Sequence, residues 1–133
     1  MRTRTIEKAN EVVEKKGDFH EAFAVLLRQK VEFLMQHGLN RMNCIQFYTT
    51  IFNCLTNILE TSGVKICNEA ANYIAQEYYD GIRINGTQEL DPGIFEKRAN
   101  LENIPTKELK LMMVMLRSTE FVWPIIDEIK KRS

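Results

Sequence analysis

The chain has no surplus of charge in either direction, with 18 Lys and Arg set against 18 Asp and Glu in 133 residues. Proteins that grip phosphate backbones usually carry an excess of basic residues, so neutrality disfavours nucleic-acid binding while leaving a local patch open. No stretch reaches the roughly 18 apolar residues of a membrane span, which argues against a membrane role. Residues 1–16 are charged where a secretory signal is apolar, so the expected setting is soluble and cytoplasmic. Six glycines and three prolines leave little room for linkers or low-complexity tracts. Cysteine is scarce as well. Cys44, Cys54 and Cys67 are an odd number without a C-x-x-C pair, and the two histidines do not join them at zinc-ligand spacing. Neither a disulfide framework nor a metal site is expected. The sequence also lacks a Gly-rich phosphate loop, an H-E-x-x-H helix, a nucleophile elbow and an EF-hand loop. No cofactor follows from it, and an enzyme is disfavoured.

What is present is the material of one globular domain over residues 1–133, with 44% hydrophobic and 27% charged residues. The apolar positions recur with helical spacing, so the expected fold is all-α, a compact bundle of about five helices. A first segment, 5–16, carries Ile6, Ala9, Val12 and Val13 on one side. Asp18 and Glu21 then form a capping-box pattern for a helix over 19–37, with Phe19, Phe23, Leu26, Leu27 and Leu34 on its apolar face. Residues 38–43 read as a turn. Residues 42–60 hold an apolar row for four turns and read as a central helix despite their β-branched content. After Ser62-Gly63 a helix is expected over 64–79. Three turn signals within 80–104 mark an irregular insertion, in which Asn85-Gly86 suits a short β-hairpin with a two-residue type I′ turn. From Thr106 the chain is apolar almost without a break from Leu111 to Leu116, and a last helix begins around Pro124.

The candidate functional residues follow from this layout. Tyr73, Tyr78 and Tyr79 form an amphipathic aromatic surface of the kind enriched at interfaces. Met112 and Met115 lie in a run apolar nearly all round, which belongs either deep in a core or beneath another chain. Trp123 joins them as a partner-binding candidate. Lys30 and His37 fall on the apolar face of the 19–37 helix and define a candidate ligand pocket. His20 beside Glu21 and the carboxylates Glu69, Glu77 and Asp80 make weak cases for catalysis and metal binding. The basic residues Lys130, Lys131 and Arg132 bunch at the end of the last helix, whereas a recognition helix wants them early. The favoured reading is therefore a non-enzymatic protein-interaction module that associates with itself and regulates or sequesters another macromolecule. A nucleic-acid-associated accessory protein and a small enzyme with a site near Lys30 and His37 are the alternatives.

Overall fold

The computed structural model describes residues 19–84 and 88–133. The expected helix over 5–16, the Asp18–Glu21 capping box, the side chain of His20 and the Asn85-Gly86 turn lie outside the described residues. Among the described residues five α-helices carry the fold: α1 (Phe19–His37), α2 (Arg41–Thr61), α3 (Asn68–Gly81), α4 (Thr106–Met115) and α5 (Val122–Arg132). The all-α bundle read from the sequence is the fold observed.

The helix ends follow local chemistry. Gly38 closes α1 with φ +93, a left-handed conformation that only glycine adopts without a Cβ penalty, and its N–H donates to the Leu34 carbonyl at 2.8 Å. Asn40 then caps α2, its Oδ1 accepting from the Asn43 N–H at 2.8 Å. Asn43 replies by donating its side-chain amide to the His37 and Gly38 carbonyls, both at 3.1 Å. This exchange starts α2 at Arg41, inside the stretch 38–43 that the sequence suggests is all turn. At the far end Gly63 has φ +72, the Val64 N–H reaches the Leu59 carbonyl at 2.9 Å, and the Gly63 N–H reaches Glu60 at 3.1 Å. That pair of bonds is a Schellman closure.

The fourth expected segment begins later than its apolar letters suggest. Residues 64–67 are not helical, Cys67 itself is extended, and α3 starts only after it, with the Cys67 N–H satisfied at 3.0 Å by the Glu108 carboxylate of α4. An acidic group supplied from another helix thus caps the positive end of α3. Burial and, after it, the same carboxylate push the Cys67 thiol up from its ordinary pKa, so it stays a thiol rather than a reactive thiolate.

Within the irregular insertion, Arg83–Ile84 and Gln88–Glu89 form a minimal antiparallel pair, with Arg83 opposite Glu89 and Ile84 opposite Gln88. That register sets Ile84 against Gln88, where a two-residue turn would pair it with Thr87, so the connection is one residue longer than expected. Single 3-10 turns follow at Pro92–Ile94 and Leu101–Asn103. The whole segment 91–104 lies as a strap along the helices.

Helix α2 packs between α1 and α3, α4 pairs with α5, and α3 touches α4. Phe23, Leu34, Ile51, Leu55, Ile58, Ile74, Leu109, Met112, Leu116 and Ile125 are essentially inaccessible to water and build the core between these helices. Burying each side chain of this size contributes about 1.5–3 kcal/mol before conformational entropy is set against it. No described helix is long and apolar enough to cross a membrane.

Candidate interaction surfaces

The three tyrosines expected on a partner surface are instead core residues. Tyr73, Tyr78 and Tyr79 are 8%, 5% and 0% exposed. The reason is that α3 is covered on several sides, so a wide arc of it is interior. Tyr78 stacks edge-on with Phe23 of α1 at 4.6 Å and with Phe121, just before α5, at 5.1 Å. Tyr79 meets Tyr48 of α2 at 5.9 Å and Phe95 of the strap at 5.3 Å, again edge to face. Its hydroxyl donates to the Asp91 carbonyl at 2.7 Å, which is how a buried phenol keeps its polar end satisfied. Burial raises the pKa of Tyr73 and Tyr79 above the ordinary tyrosine value.

Met112 is likewise core, at 0% exposed, and Met115 is half-buried against it. The near-continuous apolar run therefore has two faces. Leu109, Met112 and Leu116 point inward at helical spacing, while Leu111 and Val114 point outward, 39% and 57% exposed. Trp123, in the first turn of α5, is 64% exposed and is the one expected partner-binding residue that lies on the surface with most of its ring uncovered. Leu111 and Val114 of α4 and Trp123 of α5 are thus exposed apolar side chains on two helices that pair with each other. Met35, Met42 and Ile45 are also exposed, near the α1–α2 corner.

Lys30 is half-buried and His37 exposed, both on α1 and about 10 Å apart along the helix axis. Neither lines either of the two surface grooves described below. Among the described residues no three His, Cys, Asp or Glu side chains are grouped to hold a metal ion, and Glu69, Glu77 and Asp80 stay apart in this respect. Of the basic residues at the end of α5, Arg132 is used inside the molecule. Arg132 donates to the carbonyls of Ile104, Leu101 and Glu102 at 2.7, 3.0 and 3.2 Å and to the Thr106 hydroxyl at 3.0 Å. It also approaches the buried Glu128 carboxylate at 3.9 Å, while Lys131 pairs with Glu102 at 3.6 Å.

Sequence reasoning missed the polar face where the strap meets α2 and α3. Arg98 makes a two-pronged bond to Asp80, at 2.6 and 3.0 Å, and lies over the Phe95 ring at 4.8 Å. Phe95 in turn packs edge-on against Tyr48 at 4.7 Å. The Tyr48 hydroxyl donates to Asn72 Oδ1 at 2.8 Å, and Gln76 Oε1 accepts from the Ala99 N–H at 2.9 Å. Burial pushes the Tyr48 phenol up to about 12, against the opposing pull of a hydrogen bond from Gln76 and of the Arg98 charge. These residues stand 18 to 24 positions apart in the sequence, a separation at which no local pattern announces a contact. Only the turn density of 80–104 singled out this stretch as a place for function.

Glu77 lies beside this network and its carboxyl is held above the ordinary carboxylate range, first by burial and then by the Asp80 charge, with Arg98 opposing. A raised carboxyl pKa means that the folded state holds its proton longer than the unfolded chain does. Stability from this group therefore falls as pH rises through the ordinary carboxylate range and levels off above the raised value. Glu77→Gln is expected to stabilise the protein at neutral pH and to lose that advantage in acid. Urea unfolding of both forms across pH 3–8, a window of roughly that width around carboxylate titration, checks the sign.

Two grooves flank the strap. One, of about 460 Å³, runs between α2, α3 and residues 94–99 and is floored by Tyr48, Asn72 and Gln76. The other, of about 580 Å³, lies between residues 98–102 and α5 and is rimmed by charged side chains such as Arg98, Glu102, Asp127 and Lys131. No protein-family model, no curated protein and no solved structure matches this chain.

Proposed function

We propose that this protein is a non-enzymatic, cytoplasmic interaction module that pairs with a second copy through the outer side of the α4–α5 hairpin and, as that assembly, regulates or sequesters another macromolecule. The observation that carries the reading is Trp123. A tryptophan 64% exposed, with Val114 57% exposed on the adjoining helix, is an unusual amount of apolar surface to leave in water. Tryptophan is also the residue type most enriched at binding hot spots. A two-fold axis through the hairpin lets the same patch cover itself on both protomers, which is the commonest solution for soluble oligomers.

Further support comes from how the ionisable groups are used. Arg132 is committed to the carbonyls of Leu101, Glu102 and Ile104 and to the Thr106 hydroxyl, which takes it out of a phosphate-binding role.

Sedimentation equilibrium tests the proposal directly. The native chain is expected to dimerise, and Trp123→Ala to weaken the dimer by about 2 kcal/mol or more, roughly 30-fold in Kd. Because Trp123 is exposed, the monomer's own stability should change by no more than about 0.5 kcal/mol. A native chain that stays monomeric at every concentration, or a dimer indifferent to Trp123, would sink the reading.

A further inference from the structure

The exposed charges around the apolar side chains of α4 and α5 are divided by sign. On α4, Lys107 and Lys110 are exposed and share one face with Leu111 and Val114, at the three- and four-residue spacing of helical neighbours. The only acid of α4, Glu108, is half-buried and turned to the Cys67 N–H at 3.0 Å. Arg117, also exposed, follows in the turn. Around Trp123 the sign is reversed. Glu120 stands one turn before it, its carbonyl accepting from the Trp123 N–H at 3.4 Å, and Asp127 stands one turn after it, both exposed. None of Lys107, Lys110, Arg117, Glu120 and Asp127 forms an ion pair with another described residue.

The two helices run antiparallel, since Arg132 at the end of α5 reaches the Thr106 hydroxyl at the start of α4, at 3.0 Å. Both rise equally per residue, so each step back along α5 matches one step forward along α4. Asp127 therefore comes level with the Lys110–Leu111 step and Trp123 with the Val114–Met115 step, while Arg117 and Glu120 share the turn. A second copy can meet this hairpin under a two-fold axis in two ways. With the axis across the helices, α4 lies on α4 and basic side chains face basic ones. With the axis along the hairpin, α4 lies on α5 of the second copy and the levels are kept. Lys110 then faces Asp127, Arg117 faces Glu120 and Val114 faces Trp123, each pair formed twice. The like-charged pair in that arrangement is Lys107 with Lys130, at the open end.

Resting on the self-association proposed above, we infer that the second copy docks with its α5 across α4, held in that register by Lys110–Asp127 and Arg117–Glu120 pairs beside the contact of Val114 with Trp123. Opposite charges flanking an apolar contact fix its orientation and speed encounter, and like charges set against each other exclude the alternative pairing. Such an assembly responds to ionic strength, because salt screens exposed pairs while the apolar contact remains.

Charge reversal on each helix, read by sedimentation equilibrium, tests the register. Lys110→Glu and Asp127→Lys are each expected to weaken the dimer about tenfold, because each turns two attractive pairs into repulsive ones. Mixed in equal amounts, the two variants regain both pairs, so the mixed dimer should form with a Kd within about threefold of the native one. That recovery also excludes misfolding as the cause of the losses. Raising the ionic strength from about 0.05 to 0.5 M should weaken the native dimer. A native chain that stays monomeric, or a dimer indifferent to Trp123→Ala, defeats the self-association reading and this inference with it. A dimer that needs Trp123 but ignores both charge reversals, or a mixture no tighter than either variant alone, overturns the register and leaves self-association standing.

Discussion

Replacing Tyr79 with alanine should lower the unfolding free energy by about 3–5 kcal/mol, a large share of the roughly 5–15 kcal/mol that holds a domain of this kind together. The magnitude follows from position. Tyr79 is 0% exposed and its ring touches Phe47, Tyr48 and Phe95, so the truncation opens a cavity where two helices and the strap converge. Tyr79→Phe separates the two parts of the role. It keeps the ring but strands the Asp91 carbonyl that accepts the hydroxyl at 2.7 Å, and should cost about 1–2 kcal/mol. Urea titration reads both as a lower midpoint at unchanged slope. A surface tyrosine serving only a partner would move the midpoint by no more than about 0.5 kcal/mol, so that outcome would contradict the packing described above.

The second large effect is expected at Arg132. Its guanidinium gathers three main-chain carbonyls and one hydroxyl that belong to the end of the strap and the start of α4. It is also the partner of Glu128, itself only 8% exposed. Arg132→Met retains the aliphatic stem and removes every one of those donors. With the side chain about a quarter exposed, solvent takes up part of the loss. The expected cost is about 2–3 kcal/mol in unfolding free energy, at the level of one or two charge-assisted hydrogen bonds. Arg132→Lys should recover only part of it, because a single ammonium cannot span carbonyls that a planar fork reaches together. Full recovery by lysine, or no loss with methionine, would show the clamp to be incidental.

Both residues explain how far the sequence could be read. The helices were legible wherever one apolar row coincided with one buried face. In α2, Cys44, Ile51, Leu55 and Ile58 are buried at helical spacing, as the pattern implied. The pattern failed where burial is wider than a row. Tyr73, Tyr78 and Tyr79 span too broad an arc of α3 to form a core stripe on paper, yet α1, α2 and the strap together enclose them. In α4 the difficulty is reversed. Its apolar letters are continuous, so they conceal that Leu109 and Met112 are interior while Leu111 and Val114 face out. The start of α3 was hidden for a third reason, since its cap is Glu108, 41 positions away. The Tyr48–Asn72 and Gln76–Ala99 bonds escaped notice because their members are ordinary residues far apart in the sequence, and only the tertiary fold brings them together.

The grip of Arg132 on residues 101–106 has a dynamic consequence. The last turn of a helix ordinarily frays residue by residue. Here the final turn is bound back to carbonyls 28 to 31 positions earlier, so that α4, the connecting turn and α5 close into a ring without a covalent link. Such a ring yields as a unit. Its amides are expected to share one opening event instead of a gradient of protection, and Trp123 is carried on that frame.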